Sequence, residues 1–268
     1  MTCGTHAVGV CPRASVIAVA LLVVAGATTP VGGAQRGRGA GAGGEEASTP
    51  RQSAPVDLTG YWVTVVSEDW RYRMVIPAKG DTGGVPLNAE GRRIAGEWDA
   101  ARDAAAGEAC RAYGAPGLMR LPGRLRITWQ DDRTLKIDAD AGTQTRLLYF
   151  APPQTQGAGD RTWQGISSAA WDGAQGGRGA GAPRWASLRV VTTQLRAGYL
   201  RKNGVPYSES AVLTEYFDLH PGPGDSTWIT LTAIVNDPKY LGQEFITSTD
   251  FRKEPDGSKW NPTPCSAD

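Results

Sequence analysis

Residues 57–66, DLTGYWVTVV, decide the fold, because they begin a succession of β-strand patterns that continues to about Arg252. The segment is rich in valine, threonine and aromatic residues, which favour a pleated, half-buried surface. Alternation along a strand places Tyr61 and Val63 on one face and Trp62 on the other. Both faces are fairly apolar. The pattern therefore predicts a strand that is covered on one side and faces a lined interior on the other.

A second strand is predicted over residues 70–76, WRYRMVI, after the turn-forming residues Ser67, Glu68 and Asp69. It would form a hairpin with the first strand. Alternation then places Arg73 on the face opposite Trp70.

The rest of the chain reads as short strands separated by polar or glycine-rich turns, with one helix. Asn88 is predicted to cap this helix, and an apolar stripe would run from Ile94 through Trp98 to Ala105. The later strands are predicted at 125–130, 135–139, 143–150, 188–195, 211–219, 227–235 and 245–252. Together these patterns predict an all-β domain with one helix, built as a closed or nearly closed antiparallel β-barrel of about 8–10 strands.

The N-terminal region predicts export. Arg13, an apolar run and a small-residue cleavage site give residues 1–34 the pattern of a signal peptide. Residues 35–56 are predicted to be a disordered linker, and residues 57–268 a single barrel domain. The predicted location is therefore periplasmic or secreted, with no membrane span in the mature chain.

The charge balance argues against some partners. The chain has 28 basic and 27 acidic residues, and loss of Arg13 with the signal peptide leaves the two signs equal. A neutral domain lacks the basic excess typical of nucleic-acid binding, and nothing attracts it to an anionic membrane.

Two cysteines, Cys110 and Cys265, remain after the predicted cleavage. In an oxidising compartment they most simply form one disulfide, which would hold the C-terminal tail to the domain. Two free thiols are the alternative.

Two resemblances follow from short motifs. Gly60-x-Trp62 at the first strand resembles lipocalin and wider calycin barrels. That resemblance implies that Trp62 closes the barrel base and that Arg252, late in the last strand, packs over it through a cation–π contact.

Three further motifs follow one another between Asp57 and Cys265: the Asp-Leu-Thr-Gly-x-Trp opening, Trp163-x-Gly165-x-Ser167 and Gly204-x-Pro206-x-Ser208-Glu209. Their order resembles a family of exported, β-rich bacterial proteins whose activity is unsettled. In such relatives histidine often stands where this chain has Ile166 and Tyr207, so any role of a histidine cluster is not carried over.

Five residues are predicted to line the barrel lumen as a ligand site: Arg73, Arg146, Tyr207, Glu215 and Tyr216. Tyr216 shares a strand with Glu215 but lies on the opposite face. We expect Arg73 and Glu215 to be the inward polar pair, with Arg146 as the alternative partner of Glu215.

No cofactor and no metal site is predicted, because the mature chain has one histidine, His220, before a Pro-Gly-Pro turn. We interpret it as a solvated loop residue. The predicted function is binding of a small apolar or aromatic ligand, or of an exported protein partner. An enzyme that uses carboxylate, tyrosine and arginine groups in the lumen is the alternative.

Overall fold

A computed structural model of the chain describes residues 48–151, 161–173 and 186–267. Nine of its eleven strands close into a barrel in the order β1-β11-β10-β9-β6-β5-β4-β3-β2, and β7 and β8 form a separate two-stranded sheet. The strands are β1 (Gly60–Val65), β2 (Arg124–Asp131), β3 (Thr134–Ala139), β4 (Gln144–Tyr149), β5 (Ile166–Asp172), β6 (Ser187–Thr193), β7 (Gly198–Tyr199), β8 (Pro206–Tyr207), β9 (Val212–Pro221), β10 (Thr227–Asn236) and β11 (Phe245–Glu254).

The predicted β-barrel is confirmed, but its strands are not all antiparallel. Strands β4 and β5 run parallel, whereas the other neighbouring pairs of the barrel are antiparallel. An odd number of strands requires this, because alternating directions around a closed ring of nine must fail at least once. The relation to lipocalins stays a prediction.

Four short α-helices occur in the described residues, rather than the single helix that was predicted. They are α1 (Trp70–Met74), α2 (Ala89–Gly96), α3 (Ala100–Ala105) and α4 (Ala115–Leu118), and short 3₁₀ turns lie at Ala109–Tyr113, Ala141–Thr143 and Pro223–Asp225. None of the helices in this part of the chain is long and apolar enough to cross a membrane.

The predicted strand over residues 70–76 is wrong, since its first five residues form α1. The backbone N–H groups of Tyr72 and Arg73 both donate to the carbonyl of Asp69, at 2.8 and 3.1 Å. Trp70 and Met74 share the exposed face, as residues four apart on a helix do, and Arg73 is buried. Tertiary contacts of the buried arginine override the β propensity of the segment. Strand β2, not residues 70–76, pairs with β1.

The predicted cap at Asn88 is confirmed, because its side-chain oxygen accepts a hydrogen bond from the Gly91 N–H at 2.9 Å. The helix nevertheless ends at Gly96, and Asp99 caps α3 as a new helix. Ile94 and Ala105 therefore lie on different helices and do not form one stripe. Tertiary packing and the second cap outweigh the continuous sequence pattern.

The barrel interior is a packed apolar core. Inward-facing side chains that are at most 1% exposed come from several strands and include Ile127, Leu188, Phe217 and Phe251. Closely packed side chains of this kind fill the interior of a small barrel and leave little room for a ligand.

Trp62 lies in the core as expected, fully buried, and its indole N–H donates to the Leu58 carbonyl at 3.0 Å. The cation beside it is Lys253, whose Nζ lies 5.3 Å from the ring centroid, and not Arg252. Lys253 is the register partner of Trp62, so the two side chains share a face, while Arg252 lies on the other face.

The predicted pairing of Cys110 with Cys265 is confirmed by a disulfide whose Cα atoms are 5.1 Å apart. The C-terminal tail is also hydrogen-bonded to the 3₁₀ turn after β3. The Thr263 N–H donates to the Asp140 carbonyl, and the Thr143 hydroxyl to the Thr263 carbonyl, both at 2.9 Å. The disulfide and these hydrogen bonds hold the C-terminal tail to the domain, as predicted from the two cysteines that remain after cleavage.

The predicted signal peptide, residues 1–34, and residues 35–47 of the predicted linker lie outside the described residues. Residues 50–53 of the same predicted linker form a turn, and the Arg51 N–H donates to the Asp132 carbonyl at 3.1 Å.

Candidate functional site

Arg146 and Glu215 form an ion pair in the barrel interior. Their two parallel contacts, Nη1 to Oε1 and Nη2 to Oε2, measure 2.9 and 2.5 Å. Both side chains are almost completely buried, at 0% and 1% exposed. Arg146 also donates to the Thr192 hydroxyl at 3.3 Å, and that hydroxyl lies 2.8 Å from the Ser167 hydroxyl. Glu215 is therefore neutralised and has no access to solvent.

The predicted pair of Arg73 and Glu215 is wrong. Arg73 lies on α1, where its Nε donates to the Arg120 carbonyl at 2.9 Å. The error follows from the strand interpretation of residues 70–76, which gave Arg73 an inward face in the barrel. The alternative partner, Arg146, is the residue that meets Glu215.

The two predicted tyrosines lie apart from the ion pair. Tyr207 is fully buried in a second apolar cluster, and its hydroxyl has no hydrogen-bond partner. Burial raises the pKa of this phenol well above its ordinary value. Tyr216 is half-buried on the face of β9 opposite Glu215, beside Arg189 of β6 in the strand register. Of the five predicted residues, Arg146 and Glu215 are the two that are joined by an ion pair.

A second group of charged residues lies outside the strands, and sequence reasoning singled out one member of it. Arg73, Arg120 and Arg201, here called the arginine cluster, are 8%, 6% and 5% exposed. Arg73 belongs to α1, Arg120 follows α4, and Arg201 lies in the turn between β7 and β8. Three guanidinium groups buried together require compensation by anions or hydrogen-bond acceptors.

Arg120 receives that compensation from two acidic side chains. Its Nη1 lies 3.3 Å from Glu68 Oε1, and its Nη2 lies 2.8 Å from Asp69 Oδ2. Both carboxylates precede α1 directly, so these ion pairs fix the start of the helix that carries Arg73.

Arg73 and Arg201 are only partly satisfied. Arg201 donates from Nη1 to the Gly83 carbonyl at 2.7 Å and stacks 4.2 Å from the Tyr72 ring centroid. Its Nε and Nη2, and both Nη atoms of Arg73, are buried without a hydrogen-bond partner. Each buried donor left unpaired costs about 1–3 kcal/mol, and more when it is charged. These four nitrogens are charged hydrogen-bond donors that an anionic acceptor would satisfy.

The electrostatics agree with this geometry. Burial, and then the neighbouring charge of Arg120, lowers the pKa of Arg73 to about 10. The same two causes lower the pKa of Arg201. The carboxylates of Glu68, Asp69 and Asp250 act in the opposite direction on Arg73, and those of Asp69 and Asp81 on Arg201, but none of them bonds to the unpaired nitrogens. An anion that accepts hydrogen bonds from those nitrogens would offset the cost of burying them.

These arginines line a small cleft, here called the arginine cleft, with a cavity volume of about 30 Å³. A buried water needs roughly 10–15 Å³ of such volume, so the cleft has room for about two waters or a group of similar size. Two polar side chains, Tyr72 and Lys202, also line it. The rest of the wall is apolar and consists of Val75, Ile76, Pro77, Gly117, Leu121 and Leu200.

An exposed apolar surface adjoins the cleft. Trp70, Met74, Val75 and Ile76 are 65%, 58%, 59% and 44% exposed. In the described part of the chain, one other large hydrophobic side chain, Ile246, is exposed. Apolar side chains concentrated in one place are a sign of a binding surface.

The sequence held a signal for this site in residues 68–74, EDWRYRM, which combine two acids, two aromatic residues and two arginines. If the segment is interpreted as a strand, these residues alternate between two faces and are not expected to belong to one site. Arg120 and Arg201 carry no local signal, because only the fold brings them to α1.

Other chemistry has little support in the described residues. No cluster of three or more histidine, cysteine, aspartate or glutamate side chains suited to a metal ion occurs there. His220 lies half-buried in β9 rather than in a loop, and its Nε2 is 2.9 Å from the Thr230 hydroxyl. Thr230 in turn donates to Asp250 at 2.8 Å, so the imidazole belongs to a structural network between strands.

No protein-family model, curated protein or solved structure matches this chain.

Proposed function

We propose that this chain is an exported binding protein that holds a small anionic ligand in the arginine cleft, with the barrel as a rigid scaffold. The observation that carries the proposal is the set of four buried guanidinium nitrogens without acceptors, on Arg73 and Arg201. An anion that accepts hydrogen bonds from charged donors supplies stronger contacts than water does.

The cleft supports this function better than the barrel lumen. Inward-facing side chains such as Phe217 and Phe251 are nearly inaccessible, so an apolar ligand in the lumen would have to displace packed core residues. In the arginine cleft Val75 and Ile76 already face solvent, so a ligand can contact them without displacing a packed side chain.

The alternative of catalysis in the lumen has less support. Its candidate carboxylate, Glu215, is bound at both oxygens by Arg146 and is closed to solvent. A general acid or base must reach the proton that it transfers.

A protein partner is a second candidate, and the exposed apolar side chains of Trp70 and Met74 favour it. Aromatic residues and methionine are enriched at protein interfaces. Membership of the exported β-rich family is proposed on the sequence motifs alone and adds no activity to either candidate.

The side-chain N–H signals of arginine in ¹H–¹⁵N NMR spectra test the proposal. Chloride, acetate and inorganic phosphate are titrated separately into the full chain. At least one of them should shift the Nε–H signal of Arg201, whose donor is free. The Nε–H signal of Arg73 should move less, because this N–H already donates to the backbone carbonyl of Arg120.

Variants make the test specific. Arg73→Met removes the neighbouring pair of free donors and keeps the Arg201 signal, so it should abolish the shift of that signal. Arg189→Met, which removes an exposed arginine from an ion pair with Asp172, should leave the shift intact. Unchanged amide spectra elsewhere verify that each variant is folded. If no anion moves the Arg201 signal, the cleft holds water only and the proposal is refuted.

A further inference from the structure

We infer that the arginine cleft takes the carboxylate group of a small acid whose tail is apolar. This inference rests on the proposed function and specifies its ligand. The site lies outside the barrel interior, so it is independent of any lumen pocket.

The shape and size of the cleft favour a carboxylate head. Arg73 offers both Nη atoms and Arg201 offers Nε and Nη2, so each guanidinium presents a pair of adjacent donors. Adjacent guanidinium donors match the two oxygens of a planar carboxylate. The cavity volume of about 30 Å³ accommodates about two water-sized groups, which suits two oxygens better than the four of phosphate or sulfate.

The chain itself contains an example of this arrangement. Arg146 binds Glu215 through two contacts of 2.9 and 2.5 Å in the barrel interior. Arg73 and Arg201 are buried to a similar degree but face no carboxylate with their free nitrogens. A ligand carboxylate would supply the counterpart of Glu215.

The mouth of the cleft favours an apolar tail. Val75 and Ile76 line it and are 59% and 44% exposed, so a tail could cover them without displacing other side chains. Each methylene that this contact buries contributes about 0.8 kcal/mol, or about a fourfold gain in affinity. A second charged or strongly polar group on the ligand would lose its hydration against these walls.

The same walls favour a free acid over the C-terminal carboxylate of a protein. A peptide would bring an amide N–H and a carbonyl beside its carboxylate, at the level of Val75, Ile76 and Leu121. Those three side chains offer no hydrogen-bond partner, so peptide groups packed against them, away from Tyr72 and Lys202, would be desolvated without compensation.

The ligand class is tested with hexanoate, acetate, inorganic phosphate and a capped tripeptide, acetyl-Gly-Leu-Ile, added to the full chain. We expect the affinity for hexanoate to be at least about tenfold higher than for acetate, because burial of two methylenes at about fourfold each already gives more than this factor. Phosphate and the tripeptide should bind more weakly than hexanoate.

A matched pair of exposed isoleucines separates tail contact from general effects. Ile76→Ser should weaken hexanoate binding about three- to tenfold and leave acetate binding unchanged. Ile246→Ser removes an isoleucine that is 59% exposed and does not line this cleft, so both affinities should remain as in the parent chain.

The pH dependence supplies a second readout. The affinity for hexanoate should be level between pH 6 and 9, because Arg73, with its pKa lowered to about 10, stays charged there. Affinity should fall below about pH 4.5, where a carboxylic acid takes up its proton.

Equal affinities for acetate and hexanoate, or tighter binding of phosphate or the tripeptide, would overturn the inferred ligand class but leave the anion site standing. Absence of any response of the Arg201 Nε–H signal to all four probes would instead refute the proposed function itself.

Discussion

Removal of Glu215 is the sharpest test of the barrel interior. In Glu215→Ala the Arg146 guanidinium loses both carboxylate contacts and keeps the 3.3 Å contact from Nη2 to Thr192. Its Nε has no partner even in the parent chain. The result is a charge that is fully buried and nearly unpaired.

Breaking a buried pair in this way typically costs about 3–5 kcal/mol. Single domains are stable by about 5–15 kcal/mol, so the variant should lose a large share of its free energy of unfolding. The double variant Arg146→Met/Glu215→Leu removes both charges and should recover most of the loss, because apolar residues of similar volume replace the pair.

Urea titration followed by tryptophan fluorescence measures each free energy of unfolding. Glu209→Ala is the control, because its ion pair with Lys239, 3.2 Å long, is about half exposed on both sides and should contribute less than about 1 kcal/mol. A cost below about 1 kcal/mol for Glu215→Ala would refute the buried pair, and so would a double variant as unstable as the single one.

Two further expectations concern the disulfide and the buried tyrosines. Cys110→Ser should lower the free energy of unfolding by up to about 5 kcal/mol, since Cys110 and Cys265 are separated by 155 positions; an unchanged urea midpoint would contradict this. Tyr199→Phe should cost about 1–3 kcal/mol, because its hydroxyl donates to Asp103 at 2.7 Å, whereas Tyr207→Phe should be neutral or stabilising because its hydroxyl is buried and unpaired. Equal losses for the two tyrosine variants, measured in the same titration, would show that the Tyr207 hydroxyl has a partner.

The fold was predictable wherever local pattern and tertiary structure agree. Strands β2, β3 and β4 alternate apolar and polar residues, are joined by short turns, and occur where the sequence predicted them. The Asn88 cap and the pairing of Cys110 with Cys265 follow from residue types with few other roles. In such places one local rule decides the structure.

The parallel seam between β4 and β5 was not predictable in the same way. It involves two register pairs, Leu148 with Ser167 and Tyr149 with Ser168, and nothing in either strand marks its direction. The direction depends on how many strands close the ring, which is a property of the whole barrel.

The candidate site was missed for a related reason. Residues 70–76 have aromatic and β-branched side chains that favour a strand, but the ion pairs of Glu68 and Asp69 with Arg120 anchor the segment as a helix. Arg120 lies about 50 positions away, so no window of the sequence contains the interaction that decides the local structure.

Two buried arginines, Arg146 in the barrel lumen and Arg73 in the arginine cleft, differ in whether their charge is compensated. Arg146 was predicted to line the lumen as part of a ligand site, yet its charge is compensated by Glu215 in the barrel interior. Arg73 is buried almost as deeply, and both of its Nη atoms remain unpaired. Burial of a charge is compatible with either role. A buried charge that is paired belongs to the core. A buried charge that lacks an opposite charge and lies beside an accessible apolar surface indicates a ligand site.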